Sequence, residues 1–201
     1  EEVEVLNTYH NSEIIASIKT FYHKYFDDNK PRRIILGINP GRFGAGITGI
    51  PFTDPIRLAN DCGISHSFEN KPELSSQFIY QLIGQMGGPS SFYKRYFIGA
   101  VSPLGFTKNG KNFNYYDDAI FQRKLKPFII RSMVQQIALG IETEKCFCLG
   151  QGKNYEYLKQ LNSELKILDE IIPLPHPRWV MQYRRKQLDH YLTEAGRLLS
   201  I

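Results

Sequence analysis

Asn39 and His176 are the two side chains whose surroundings most suggest chemistry. Asn39 lies in Gly37-Ile38-Asn39-Pro40-Gly41-Arg42-Phe43-Gly44, which runs on to Thr48-Gly49-Ile50-Pro51-Phe52. Glycine and proline recur there at a density no regular element tolerates, so the segment is a loop. It carries one amide, Asn39, and two rings, Phe43 and Phe52, an inventory for holding a flat ligand between a π-face and a positioned polar group. His176 is framed by Pro175 and Pro177 and followed by Arg178-Trp179-Val180-Met181-Gln182-Tyr183-Arg184-Arg185-Lys186. An imidazole, an apolar wedge and a basic run together suit a protein that draws a base from a duplex while gripping phosphates.

Each residue also has a plainer reading. On composition alone, Asn39 is a turn-former and His176 a structural histidine between prolines. Phe43 and Phe52 serve equally as core rings, and Trp179 packs on its own loop as readily as it enters DNA. Arg184, Arg185 and Lys186 also fit a solvated helix face. Asp54, just beyond Phe52, either assists a water or caps a helix, and the cap is preferred.

Positioning these residues falls to alternating elements. Ile14, Ile15, Ile18, Phe21, Tyr22 and Tyr25 keep helical spacing over residues 11–27, with Asn11 or Ser12 as cap. Arg32-Arg33-Ile34-Ile35-Leu36 is a short apolar strand that opens into the Asn39 loop. A helix over 72–87, a strand over 95–101 and a polar loop through Lys108, Asn109, Gly110, Lys111 and Asn112 follow. Residues 117–139 are a helix broken or kinked at Pro127. Strands over 144–149 and 166–172 flank a helix near 154–161, and a basic-faced helix over 182–199 ends the chain. Strands alternating with helices imply a parallel sheet covered on both faces. In such α/β sheets ligands bind at the carboxyl ends of the strands, where Asn39, Ser102, Gly150 and His176 all fall. Gly150-Gln151-Gly152-Lys153 lacks the spacing of a phosphate loop. It reads as a turn at a helix start, able to touch a DNA phosphate.

The chain has 201 residues, 42% hydrophobic and 22% charged, with 25 Lys plus Arg against 20 Asp plus Glu. That is ordinary composition for one globular domain with a real core, residues 1–201. The net charge of +5 suits a polyanionic partner without requiring one. Cys62, Cys146 and Cys148 make neither a disulfide framework nor a four-ligand metal site; the last two read as packed core thiols. No stretch has the length of a membrane span and no secretory leader is legible, so the expectation is a cytosolic protein without membrane association.

At this point the motifs carry a resemblance. Residues 37–52 look, without a gap, like the first motif of the single-strand-selective monofunctional branch of the uracil-DNA glycosylase superfamily, Gly-Met-Asn-Pro-Gly-x-Phe-Gly then Thr-Gly-Val-Pro-Phe. His176-Pro177 is similar to the second motif, and Pro103-Leu104 through Gly110-Lys111-Asn112 resembles the stretch between them. A divergent bacterial relative of this branch is the preferred description. The resemblance implies a three-layer α/β/α fold around a four-stranded parallel sheet. It implies a DNA glycosylase that flips a damaged base, hydrolyses its N-glycosidic bond and leaves an abasic site. No metal, no organic cofactor and no more than a monomer are implied.

By motif match, Asn39 positions the attacking water; an amide is a poor base, so its role is orientation. His176 donates a hydrogen bond to the base oxygen where negative charge grows. Phe52 stacks on the base, Ile38 and Gly41 line its pocket with backbone, and Phe43 supports the loop. DNA contacts are expected from Ser102, Lys111, Gly150, Lys153, Arg178, Trp179, Met181, Arg184 and Arg185. No lysine in these motifs serves as a Schiff-base nucleophile, so no strand-cleaving step is implied.

Two departures stand out. Ala100 occupies the place where the family carries an Asn that reads the uracil edge, so xanthine, hypoxanthine and oxidised pyrimidines stay open as substrates. The family's His-Pro-Ser-Pro-Arg-Asn-Pro becomes His-Pro-Arg-Trp-Val-Met-Gln, which leaves Trp179, Met181 or Arg178 as the wedge and the strand preference open. Two other functions remain: a non-catalytic binder of damaged nucleic acid, or a hydrolase of free nucleosides or nucleotides.

Overall fold

Ile34, Ile35 and Leu36 are at most 1% exposed, which sets their strand in the middle of a sheet. The computed structural model describes residues 2–201. In chain order the elements are β1 (Glu4–Leu6), α1 (Ser12–Phe26), β2 (Arg32–Gly37), α2 (Ala45–Thr48), α3 (Pro55–Asn60), α4 (Leu74–Gln85), α5 (Gly88–Tyr93), β3 (Tyr96–Ala100), β4 (Gly105–Lys108), β5 (Lys111–Phe113), α6 (Ala119–Ile137), β6 (Ile141–Leu149), α7 (Lys153–Leu165), β7 (Glu170–Leu174), α8 (Pro177–Tyr183) and α9 (Leu188–Leu199).

Four strands form a parallel sheet in the order β3-β2-β6-β7. Alternation along the strands divides the core in two. Ile35, Ile98, Phe147 and Ile172 pack with residues of α1, α4, α5, α8 and α9. Ile34, Leu36, Phe97, Cys146 and Cys148 pack with residues of α6 and α7. The result is the expected three-layer α/β/α sandwich. Each fully buried Leu, Ile or Phe adds about 1.5–3 kcal/mol of burial. Burial pushes the Cys148 thiol up to about 12, so it stays protonated and inert.

Asn11 caps α1, accepting from the amides of Glu13 and Ile14. Pro127 lies inside α6 and does not break it. Pro127 and Arg123 are both exposed, so the carbonyl that the missing N–H leaves open falls on the solvent side of the helix. The last strand is Glu170–Leu174 rather than 166–172, because Lys166 closes α7 in the left-handed conformation at φ 52°. Residues 177–183, expected as loop, form α8.

The expected polar loop is instead a hairpin. β4 and β5 pair antiparallel, β1 adds to β4, and Lys108 faces Lys111 across the turn. Asn109 and Gly110 both hold positive φ, 52° and 67°, as a two-residue hairpin turn of mirror-image type requires. This small sheet stands beside the carboxyl end of β2.

Candidate active site

β2 ends at Gly37, and the chain turns out through Asn39 into a cavity of about 760 Å3. The β5 hairpin fixes the Asn39 amide. Asn39 Oδ1 accepts from Tyr115 N at 3.2 Å, while Nδ2 donates to Phe113 O and Pro40 O, both at 3.3 Å. Tyr115 N can only donate, so the orientation of the amide is settled. Both amide hydrogens are used; one lone pair of Oδ1 remains.

Phe52 stands beneath the same loop. A Cβ on Gly37 would sit 2.6 Å from Phe52 Cε2 and 2.8 Å from Cζ, so the ring lies directly on the glycine. Phe52 itself holds φ 52°, a conformation that non-glycine residues adopt at a cost and that clusters at functional sites. At the mouth, Phe43 is 37% exposed, with the Arg42 guanidinium 4.3 Å from its ring centre. Arg42 also bonds the Gly110 carbonyl, and its backbone N donates to Asn112 Oδ1 at 3.0 Å, which ties the loop to the hairpin.

His176 caps α8. Its Nδ1 accepts from Arg178 N at 3.2 Å, so the neutral ring carries its hydrogen on Nε2. Burial, helped by the Arg178 charge, lowers its pKa from 6.5 to about 4. A neutral donor therefore lines the cavity that also holds Asn39 and Phe52.

The model of the uracil DNA glycosylase superfamily matches residues 23–199. The crystal structure of wild-type SMUG2 from Pedobacter heparinus is 42% identical, covers 98% of this chain and 87% of its own, and superposes with a TM-score of 0.95. The chain belongs to the uracil DNA glycosylase superfamily. It is a monofunctional DNA glycosylase of base-excision repair. No curated protein matches it.

The structure places each of the site residues expected from sequence. The cavity brings together Asn39, His176, Ile38, Gly41, Phe43, Phe52, Ala100, Lys111, Arg178 and Trp179. Arg184 joins them through its guanidinium, 5.0 Å from the Trp179 ring centre. Lys153 is exposed at the start of α7, on an adjoining cleft that shares His176 and Trp179. Arg185 is exposed in the turn Arg185–Gln187 and lines neither space.

Three expected DNA contacts are corrected. Met181 is 3% exposed and belongs to the core beneath α8, because helix formation turns it inward while Trp179 and Tyr183 face out. Ser102 is fully buried and spends its hydroxyl on Leu104 O at 3.0 Å, shaping the turn after β3. Gly150 is buried too, and its N–H donates to Leu174 O at 2.8 Å, so it offers no donor to a phosphate. Asp54 is wholly buried and caps α3 through Arg57 N at 2.8 Å, as preferred.

Sequence reasoning missed Gln136, Glu73 and Tyr183, which all line the cavity. Tyr183 is 61% exposed and stood in the quoted wedge run, so its type was visible and only its orientation was not. Val101 N pairs with Gly37 O, which turns the Ala100 N–H and C=O toward the free edge of β3. The Gln136 amide closes that edge: Ala100 N donates to Oε1 at 3.3 Å, and Nε2 donates to Ala100 O at 3.0 Å. A Cβ on Gly99 would collide with Gln136 Oε1, so the glycine makes room for it. Nothing in the local sequence links positions 99 and 136.

Proposed function

We propose that this site flips uracil, or a related deaminated base, onto Phe52 and removes it with water held by Asn39. The C1′–N bond breaks first, its electron pair leaving on the base. His176 Nε2–H donates to the base oxygen as charge accumulates there; a neutral imidazole does this without competing as an acid. Asn39 Oδ1, with one lone pair left, accepts from the water and aims its oxygen at C1′. The water forms the new C1′–O bond, and the proton it loses passes to the departed base.

The observation that carries the reading is the fixed amide of Asn39, with one Oδ1 lone pair open, in the same cavity as the Nε2–H tautomer of His176. A pure binder needs neither arrangement. Arg42, Lys111, Lys153, Arg178 and Arg184 surround the mouth as exposed cations, which favours a polymer over a free nucleoside. Trp179 and Tyr183 are exposed rings on α8, placed to fill the gap left by the flipped base. With Ala100 in place of an amide, the base edge meets no side-chain reader from β3, and more than one deaminated base is accepted. The protein works as a monomer in the cytosol, without metal or organic cofactor; its buried free thiols suit a reducing compartment.

The test is base release from end-labelled oligonucleotides carrying uracil, xanthine or hypoxanthine, single- and double-stranded, with alkali afterwards. Alkali-dependent cutting should fall at least about 100-fold in Asn39→Ala while DNA binding persists. Full cutting by Asn39→Ala would sink the assignment of Asn39. Binding without cutting by the wild type would favour the damage-binding reading.

A further inference from the structure

We propose that Glu73 faces the bound sugar and supplies the negative charge that offsets its cationic state, which makes it a third catalytic residue. The inference rests on the glycosylase mechanism above. Once the C1′–N bond breaks, the sugar is an oxocarbenium ion and the base an anion. His176 answers the anion. Asn39 is neutral, and Arg42, Lys111 and Arg178 around the cavity oppose a positive charge rather than stabilise it.

Among the described residues that line the cavity, Glu73 is the one carboxylate. It is pinned at both ends. Its backbone N donates to Asp54 Oδ2 at 2.8 Å, and its Oε2 caps α4 by accepting from Ser76 N at 2.8 Å. The carboxylate lies against the loop that carries Asn39: a Cβ on Gly44 would be 3.5 Å from Glu73 Oε2. Nearby cations are engaged elsewhere. Lys71 pairs with Glu69 at 2.8 Å, Arg57 with Asp54 at 3.5 Å, and Arg42 stacks on Phe43. No ion pair among the described residues neutralises Glu73. Capping α4 needs only an acceptor oxygen, which an uncharged residue supplies. The dipole of α4 favours that charge; its placement on the cavity wall is what capping leaves unexplained.

Glu73 forms no bond and moves no proton in this scheme. The electron pair of the C1′–N bond goes to the base, water supplies the new oxygen, and the water proton ends on the base. A unit charge that comes within about 6 Å of a cationic sugar, at an effective dielectric of about 20, corresponds to about 100-fold in rate or in affinity for a cation there.

The experiment compares binding of two oligonucleotides, one with a cationic pyrrolidine in place of the abasic sugar and one with neutral tetrahydrofuran. The wild type should prefer the cationic analogue by about 100-fold. Glu73→Gln keeps an oxygen for Ser76 N. It should bring the preference close to unity and slow single-turnover base release by a similar factor, with tetrahydrofuran binding unchanged and Tm lowered by no more than a few degrees, the share of the helix dipole. Glu73→Asp, which keeps the charge on a shorter arm, should retain part of the preference. A Glu73→Gln variant that still prefers the cation would overturn the proposal, as would a wild type with no preference that nevertheless releases base. A wild type that releases no base from any lesion would overturn the glycosylase mechanism instead.

Discussion

Acidification should silence this enzyme near pH 4 rather than near pH 6.5, because His176 is held neutral by burial and by Arg178. Its folded pKa, about 4, lies below the 6.5 of an unconstrained histidine. Between those values the unfolded chain binds the proton and the folded chain does not, so stability falls as pH drops through that window. The shift corresponds to roughly 3 kcal/mol, fully lost below pH 4 and fully present above 6.5. Protonation also places a hydrogen on Nδ1, opposite the Arg178 N–H that it now accepts at 3.2 Å, so the α8 cap is lost with the neutral donor. Two measurements check this. Single-turnover base release from single-stranded uracil DNA should hold level from pH 8 to about 5 and then fall. Urea unfolding across the same range should show the stability loss. His176→Asn, which still caps a helix and still carries a donor, should remove the part of that loss that belongs to residue 176 and keep partial activity. A histidine titration near 6.5 assigned to residue 176, or an unchanged pH–stability curve in His176→Asn, would refute the reasoning.

Gly37→Ala should lower stability by about 1–3 kcal/mol and cut base release far more. Its methyl would sit 2.6 Å from Phe52 Cε2, about 1 Å short of ordinary contact, and the ring must shift from under the base; wild-type turnover would show that Phe52 is not the stacking ring. Met181→Ala should cost about 2–5 kcal/mol in Tm or urea measurements, with equal effects on single- and double-stranded substrates, because the side chain is core. Trp179→Ala should leave stability within about 1 kcal/mol and slow duplex substrates more than single strands, as loss of an exposed ring does. Equal slowing of both would remove the wedge role.

Much of the fold was legible because its signals are local. The apolar runs of β2 and β6, the Asn11 cap, and the glycine and proline of the Asn39 loop follow from side-chain size, backbone freedom and short-range hydrogen bonds. The same short-range order brought Asn39 and His176 to strand ends. The Asn109-Gly110 hairpin was also legible in principle, since that dipeptide favours the tight turn it makes. Pairings distant in sequence were not. Tyr115 holding Asn39, Gln136 closing the edge at Ala100, and Glu73 lining the cavity each join segments that no periodicity connects. The tautomer of His176 is decided by whether residue 178 is helical, and the inward turn of Met181 by the same helix. Sequence by itself thus determined the layered architecture and the types of group at its strand ends. Only the tertiary structure decided which of those groups face the cavity and how they are held, because orientation depends on packing against elements whose contact the chain order does not encode.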